Sequence, residues 1–461
     1  MTGFDLAIIG TFFLATILVG LSDVKNVTLD VYWVNGRSTR RFALLASTLS
    51  TFIGAGSIFG LAGTTFSGAG LLAFAIPVSF LLYFLVFGAL FAPKIKAYGD
   101  THQAFTLPDF LESTYSRRVR IAGATVNLVS VALSLALQFL SFGVIVSALI
   151  GFDPVLTTIG GGLLMITYAT VGGMRADIRT DVFQFCVMLI LLSVCLPLVA
   201  WKSGGLAAIE ALPADFLRGE HFAPPYVMAA ALVFLGASVL SSPDFWQRAY
   251  AAESKESLRF AMFCGGVLAF LFLSMGVCFG LFARSVMPGA EANEIVPALF
   301  SSMLPSGLYG LSIAGLFAAL LSTGDTLLLV MSMTLVHDFY RKGMGRELTP
   351  ERTLRLSRLL VVGVGIAALT IAVVIFSVVH LAIQAVSFGV VLVPSIVFGF
   401  YSARPDERAA FWSIVCGAAT ILVVQTFRPV EAFVPGMVIA FLVYAVIARG
   451  GARDVDVIAV E

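Results

Sequence analysis

Long apolar stretches recur along the whole 461-residue chain, separated by short polar segments. Each stretch holds about 20 residues, the length that a helix needs to cross a bilayer. We predict thirteen such spans, at residues 4–22, 42–68, 71–92, 121–150, 155–172, 181–201, 226–242, 260–285, 306–336, 357–378, 381–401, 410–427 and 432–448. The pattern therefore predicts an all-α polytopic membrane protein.

Composition supports this class, because 59% of the residues are hydrophobic and only 12% are charged. A soluble protein of this size cannot bury so much apolar surface. The net charge of +1 predicts no nucleic-acid partner. We expect the lipid bilayer as the surroundings and no obligate protein partner. The sequence shows no nucleophile–base pair and no metal-ligand cluster, so we do not expect an enzyme.

Basic residues predict the orientation. With the N-terminus outside, 24 of the 28 Lys and Arg residues fall in inner loops, and the exceptions are Lys202, Arg218, Arg284 and Arg428. Because inner loops of membrane proteins are enriched in basic residues, we predict N-out and C-in. We expect the first span to be retained, since no basic residue precedes it. The plasma membrane, in a bacterium the inner membrane, is the expected location.

The second span is dense in glycine and hydroxyl residues, in the stretch ALLASTLSTFIGAGSIFG. Its glycines could form a packing face against neighbouring helices. Alternatively, the helix unwinds between Phe52 and Gly56 and offers free carbonyl oxygens to a ligand, as discontinuous helices of transporters do. The residues alone favour neither interpretation.

Polar residues also interrupt the apolar stretch LFAALLSTGDTLLLVMSMTL. Ala319, Ser322, Thr323 and Thr326 share one helix face, with Asp325 at its edge. A charge at the bilayer midplane costs about 2.5–3.5 kcal/mol, so these groups should face the bundle interior. Clustered oxygen atoms suit a hard cation. In the purely structural alternative, the hydroxyls bond to the preceding turn and Asp325 is protonated.

Asp181 is a second acid at the edge of a span, and we expect it to pair with Asp325, a cation or Arg179. Asp177 and Arg179 are expected to be ordinary interfacial charges.

Several polar residues fall at or near span ends. Trp246 and Arg248 look like an interfacial anchor, and His337 is expected at the interface. Gln138 and Ser387 lie within spans, where each could contact a substrate or a neighbouring helix. We expect no buried Lys or Arg at the midplane.

Five ordered motifs resemble the sodium:solute symporter family. They are DVYWVNGRS, TLPDFLESTY, GGMRADIRTDVFQ, PDFWQRAYAAES, and LLSTGDTLLL followed by DFYRK. The resemblance covers nearly the whole chain and implies a LeuT-type fold of two inverted five-helix repeats. These would be residues 42–201 and 226–401, with an extra N-terminal helix at 4–22 and two C-terminal helices at 410–448.

The resemblance also implies ion sites. Its sodium site corresponds to the carbonyl oxygens of Ser50, Ile53 and Ala319 and the hydroxyls of Ser322 and Thr323. Some relatives bind a second sodium, and the corresponding positions are Asp181, Ser322, Asp325 and Thr326. Asp325 replaces a serine of those relatives, which puts a second site in question.

A substrate pocket at the midplane is implied at Thr51, Phe52, Gly54, Ser57, Gln138, Phe234, Ser238 and Ser387. We therefore predict a sodium-coupled symporter that imports a small solute, such as proline or a short organic acid, by alternating access. Two alternatives stay open: a proton-coupled carrier that uses Asp181 or Asp325, and a sensor or channel of this fold.

Overall fold

The computed structural model describes residues 1–21, 28–220 and 222–458. Lys25, which was counted among the inner basic residues, lies outside them. In the described part of the chain, α-helices dominate and the β structure is a single bridge between Thr39 and Ala252. The predicted all-α class is confirmed.

The N-terminal half contains α1 (Gly3–Leu21), α2 (Leu29–Val34), α3 (Arg41–Phe52), α4 (Leu61–Thr64), α5 (Ala75–Val86), α6 (Ala92–His102), α7 (Leu107–Thr114), α8 (Arg117–Ile150), α9 (Pro154–Ile190), α10 (Leu196–Lys202), α11 (Gly205–Glu210) and α12 (Ala214–Leu217). The C-terminal half contains α13 (Pro225–Phe234), α14 (Ser238–Ser241), α15 (Pro243–Ala251), α16 (Lys255–Val286), α17 (Ile295–Met303), α18 (Leu308–Met333), α19 (Pro350–Val374), α20 (Val378–Val390), α21 (Val393–Tyr401), α22 (Glu407–Val424) and α23 (Phe433–Ile458). Wider helical turns occur at Gly56–Gly60, Thr65–Ala69, Phe87–Phe91, Leu191–Cys195 and Thr334–Gly343, and tighter ones at Asn35–Arg37, Gly70–Phe74 and Leu235–Ala237.

In the described residues, nine helices are long and apolar enough to cross a membrane, or ten if one bent pair is a single span. The prediction of thirteen differs at four places. Span 42–68 is broken, span 226–242 is the bent pair, and spans 155–172 and 432–448 contain apolar helices shorter than 18 residues, Pro154–Thr167 and Phe433–Arg449. The count of thirteen and the orientation therefore stay predictions.

The bend between α14 and α15 measures 50° and has a local cause. Pro243 begins α15, and a proline disfavours helical geometry in the residue before it. Ser242 accordingly has φ −67° and ψ 118°, which is extended backbone. The bend moves the polar segment that follows α14 into the interior of the bundle.

Helix α18 lies at the centre of the bundle and packs against α3, α8 and α9. Every residue of α18 from Ser312 to Met333 is buried, which includes the polar residues from Ser322 to Thr326. Helix α1 packs on α18 and α9, and the Asp5 carboxylate accepts the N–H groups of Gly307 and Gly310 at 2.7 and 3.0 Å. The polar residues that the sequence singled out on α18 therefore face protein.

Candidate functional site

Helix α3 stops at Phe52, and the next helical segment is Gly56–Gly60. Between them, Ile53 has φ −86° and ψ 72°, outside the helical region. Ser57 spans the gap, since its N–H donates to the Gly54 carbonyl oxygen at 3.1 Å and its hydroxyl to the Phe52 carbonyl oxygen at 2.9 Å. The structure therefore contains the unwound segment that one interpretation of the glycine-rich span predicted.

The packing interpretation holds as well, for glycines beyond the break. A Cβ on Gly60 would lie 3.1 Å from the Ala382 Cβ of α20, and a Cβ on Gly63 would lie 3.0 Å from a Val379 methyl group. Small residues let these two segments approach closely. The same span thus provides both a break and a packing face.

Gln138 of α8 holds the unwound segment in place. Its Oε1 accepts the N–H of Ala55 at 2.9 Å, and its Nε2 donates to the Ser134 carbonyl oxygen at 3.2 Å. A Cβ on Gly54 would lie 2.6 Å from the Thr323 hydroxyl and 3.0 Å from Gln138 Oε1. Glycine at position 54 therefore lets the break contact α8 and α18 at once.

Hydroxyls of α18 meet carbonyl oxygens at the end of α3. Ser322 Oγ lies 2.7 Å from the Ser50 carbonyl oxygen and 3.2 Å from that of Ala319. Thr323 Oγ1 lies 2.8 Å from the Thr51 carbonyl oxygen and 2.9 Å from that of Ala319. We call these five residues the hydroxyl cluster. All its donor atoms are neutral oxygens, which are the ligands that hard cations prefer.

Four of the five predicted sodium ligands, Ser50, Ala319, Ser322 and Thr323, meet in this cluster. Ile53 is fully buried at the break beside them. The Thr51 carbonyl oxygen belongs to the cluster too, although the sequence assigned Thr51 to the substrate pocket alone.

A second polar cluster surrounds Arg248 on α15, one turn of α18 away. The guanidinium donates to Asp181 Oδ2 at 3.0 Å, Ser47 Oγ at 3.0 Å, Thr326 Oγ1 at 3.0 Å and Asp177 Oδ2 at 3.5 Å. We call these five residues the arginine cluster. Arg248 also donates to the Thr51 hydroxyl, so Thr51 joins this cluster to the hydroxyl cluster.

Three predictions about this region are wrong. Arg248 is fully buried rather than interfacial, and it supplies the buried cation that the sequence was not expected to hold. Trp246 is buried as well, and its indole N–H donates to the Leu240 carbonyl oxygen at 2.7 Å. Asp177 is 7% exposed and accepts the Thr326 hydroxyl at 2.9 Å, so it is not an interfacial charge. The bend before Pro243 causes the first two errors, because it carries α15 inward.

The four residues of the predicted second cation site do not converge on one point. Asp181 and Thr326 belong to the arginine cluster, whereas Ser322 belongs to the hydroxyl cluster. Asp325 is 8% exposed, and its buried Oδ1 has no hydrogen-bond partner in the described part of the chain. Its charge interacts with those of Asp177 and Asp181. Of these three buried acids, Asp177 and Asp181 pair with the Arg248 guanidinium.

A cavity of about 240 Å³ adjoins the hydroxyl cluster. Six of the eight predicted pocket residues line it: Thr51, Phe52, Gly54, Ser57, Gln138 and Ser238. Thr323 lines it too, so the candidate ion site and the cavity share a wall.

Phe234 and Ser387 are not among the described residues that line this cavity, so their place in a substrate pocket stays a prediction. The neighbouring Leu235 takes the place of Phe234. Helix α20 presents Ile383 and Val386 to the cavity, while the Ser387 hydroxyl donates to the Ile383 carbonyl oxygen of its own helix at 2.7 Å.

Two groups of polar residues that line the cavity were not predicted from the sequence. Asn127, Ser130 and Ser134 precede Gln138 on α8 at helical spacing, so they form one stripe along the cavity. That spacing is visible in the sequence and could have predicted the stripe. The other group is Ser241, Ser242 and Asp244 at the bend between α14 and α15, whose inward position the sequence pattern did not reveal.

An ion network lies where α7, α8 and the end of α18 meet. Arg120 pairs with Asp109, Glu112 and Asp338, and His337 Nε2 lies 2.9 Å from Asp109. Burial alone would raise the pKa of Asp109, but His337, Arg120 and the Phe105 N–H hold that pKa below its ordinary range. His337 is 4% exposed, so it packs inside the protein, and its position near the inner membrane interface stays a prediction.

Comparisons with known proteins agree with this geometry. Residues 32–417 match the sodium:solute symporter family. A sodium/proline symporter of Staphylococcus aureus (strain bovine RF122 / ET3-1) is 26% identical over 476 aligned residues, which cover 96% of this chain and 91% of the relative. A second sodium/proline symporter, from S. aureus strain JH9, has the same identity and coverage.

Two solved structures share the fold. The substrate-bound outward-open state of a Na⁺-coupled sialic acid symporter has a TM-score of 0.80 at 18% identity, and the match covers 97% of this chain and 98% of that one. Mhp1, a nucleobase-cation-symport-1 family transporter in a closed conformation, has a TM-score of 0.60 at 15% identity, covering 94% and 97%. Both neighbours are LeuT-fold transporters, and the chain is a member of the sodium:solute symporter family.

Proposed function

We propose that this protein couples the inward movement of sodium to the uptake of a small solute by alternating access. The observation that carries the proposal is the hydroxyl cluster, in which Ser322 and Thr323 of α18 meet the free carbonyl oxygens of Ser50 and Thr51. The same residues adjoin the cavity through Thr51 and Thr323. The family and the sodium-coupled relatives support the same conclusion.

Sodium in this cluster would be held by Ser50, Ile53, Ala319, Ser322 and Thr323, joined by the Thr51 carbonyl oxygen. A bound ion would bridge the broken helix to α18 and stabilise the outward-open state, and the solute would then favour closure. An inward electrical gradient contributes about 2.3 kcal/mol per charge per 100 mV. We propose no second sodium at Asp181, Ser322, Asp325 and Thr326, because these residues lie apart and Arg248 already bonds to Asp181.

We propose the N-out and C-in orientation, in the bacterial inner membrane, from the basic loops. Two repeats at 42–201 and 226–401 are supported by a shared feature: each begins with a discontinuous helix, broken after Phe52 in the first and bent at Ser242 in the second. Discontinuous helices at the start of paired repeats are typical of transporters of this architecture.

The test is the thermal stability of the purified protein against sodium, with potassium as the control ion. A ligand that binds only the folded state raises stability by RT ln(1 + [L]/Kd). We expect sodium to raise the Tm of the wild type and to leave the Tm of Ser322→Ala/Thr323→Ala unchanged. Ser413→Ala is a matched control, since its buried hydroxyl donates to the Ala440 carbonyl oxygen at 2.7 Å between α22 and α23. An equal sodium shift in the double mutant would contradict the proposed site.

One observation favours a second candidate function, proton coupling. Asp325 is a buried carboxyl group with an unpartnered oxygen, close to two further acids. A buried carboxyl group without a counter-ion favours its protonated form. Uptake driven by a pH gradient in sodium-free buffer, and lost in Asp325→Asn, would support a proton carrier over a sodium carrier.

A further inference from the structure

The charge of the cavity wall bears on the class of solute. Among the described residues that line it, Asp244 is the one with a formal charge, and none is Lys, Arg or His. The other polar lining groups are hydroxyls and amides. A carboxylate solute that lacks a positive charge would meet like charge here and no basic partner, which costs free energy in a buried site.

Asp244 stands at the bend that leads into α15. Its carboxylate accepts the Ser242 hydroxyl and the backbone N–H groups of Asp244 and Phe245. Arg248 lies four residues further along the helix and is not among the described lining residues. Its charge acts on the Asp244 carboxyl group, although its hydrogen bonds run to the other members of the arginine cluster and to the Thr51 hydroxyl. Asp244 is thus the one acidic group among the described lining residues, and the charge of Arg248 favours its ionised form.

Asn127 of α8, which also lines the cavity, points independently to a ligand. The side chain is 2% exposed, and neither its Oδ1 nor its Nδ2 has a hydrogen-bond partner among the residues that the structure describes. Buried amide groups in proteins are nearly always paired, because leaving them unpaired costs about 1–3 kcal/mol. A polar solute in the cavity would supply the missing partner, and the amide oxygen accepts hydrogen bonds from an ammonium group.

We propose that the transported solute carries a positively charged nitrogen and that Asp244 binds it, with Asn127 as a second polar contact. This proposal rests on the proposed function and narrows it. A carboxylate on the same solute would lie at the opposite pole, beside Thr323 and the sodium proposed there. The cavity therefore selects amino acids or amines and rejects small organic acids that lack a nitrogen cation.

The experiment measures shifts in Tm at saturating sodium for probes that differ in charge. L-Proline, pyrrolidine, glycine betaine and choline carry the nitrogen cation, whereas (S)-tetrahydrofuran-2-carboxylate replaces the ring nitrogen of proline by oxygen. We expect at least one nitrogen probe to stabilise the wild type and the ether acid to have no effect. In Asp244→Asn, the affinity for that probe should fall about tenfold or more, and Asp244→Glu should restore part of it.

The controls separate this proposal from the proposed function and from a purely structural role. Asp406→Asn also alters an acid at a helix start, where Asp406 accepts the Ala409 N–H at 2.8 Å, and it should leave every probe shift unchanged. Sodium alone should stabilise Asp244→Asn as it does the wild type. If the ether acid binds as well as proline, if no nitrogen probe binds, or if Asp244→Asn keeps the wild-type affinity, the proposal is overturned while the sodium result stands.

Discussion

The hydroxyl cluster and the arginine cluster are neighbours on α3 and α18. They stabilise buried oxygen atoms in different ways. Both gather oxygen atoms in a buried place. The hydroxyl cluster contains dipoles alone, whereas the arginine cluster pairs the Arg248 guanidinium with Asp177 and Asp181. Dipoles are satisfied by one another, so such a cluster persists with or without an ion. Buried carboxylates need a counter-charge, and here the chain supplies it covalently.

Removal of that counter-charge should give the largest effect. Arg248→Met leaves Asp177 and Asp181 buried without a cation, and we expect the free energy of unfolding to fall by about 3–5 kcal/mol. Adding Asp181→Asn to Arg248→Met should recover part of the loss. Chemical unfolding of the purified proteins measures both changes.

Arg428→Met is the matched control for that experiment. Arg428 also pairs with an acid, Glu431 at 3.1 Å, but it is 68% exposed. Exposed ion pairs contribute about 0–1 kcal/mol, so the unfolding free energy should hardly change. If Arg248→Met and Arg428→Met lower the free energy of unfolding equally, burial does not make the Arg248 ion pairs more important for stability.

The hydroxyl cluster should be sensitive to shape rather than charge. Gly54→Ala places a methyl group 2.6 Å from the Thr323 hydroxyl, and overpacking of this kind costs about 1–3 kcal/mol. We expect the sodium-induced rise in Tm to disappear. Gly160→Ala is the control, since a Cβ on Gly160 meets nothing within 4 Å. If sodium still raises the Tm of Gly54→Ala as it does that of the wild type, the geometry of the break is not needed for ion binding.

Gln138 tests how firmly the break must be held. Gln138→Leu removes the acceptor of the Ala55 N–H, and we expect a loss of about 1–2 kcal/mol, as for other buried backbone groups left unpaired. Because Gln138 also lines the cavity, KM for the solute should rise. Solute uptake at saturating sodium measures this change, and an unaltered KM would assign Gln138 a structural role alone.

The smallest effect is expected at Asp109, in the ion network. Its pKa is lowered in the folded protein, so its contribution to stability is present above the unfolded pKa and is lost as the pH falls below it. Asp109→Asn should cost about 1 kcal/mol at pH 7, because Arg120 keeps Glu112 and Asp338 as partners. The difference in Tm between wild type and mutant should shrink from pH 7 to pH 3, and a constant difference would contradict this assignment.

Much of this architecture follows from sequence patterns that report burial directly. The spacing of Ser322, Thr323 and Thr326 placed them on one interior face, and the dense glycines around Gly54 allowed the break as one of two interpretations. Arg248 and Asp244 escaped prediction because their segment reads as a polar loop at a span end. What brings that segment inside is a 50° bend between α14 and α15, a tertiary feature that no local pattern reports.

Phe234 and Ser387 show a finer limit. Each lies one residue away from a residue that lines the cavity, Leu235 and Val386 respectively. One residue along a helix turns a side chain by about 100°, so a small error in register moves a side chain from the cavity to a neighbouring helix. Resemblance between distant relatives therefore identifies which segment lines a cavity more reliably than it identifies which face of that helix does so.

The covalent attachment of the Arg248 cation has a consequence for how the protein responds to its surroundings. The Arg248 guanidinium is part of the chain, so it stays beside Asp177 and Asp181 at any salt concentration. A sodium ion at the hydroxyl cluster comes from the solution, so the occupancy of that site depends on the sodium concentration. We therefore expect uptake to follow external sodium as a simple hyperbola with a Hill coefficient near 1, and one ion to enter in each cycle.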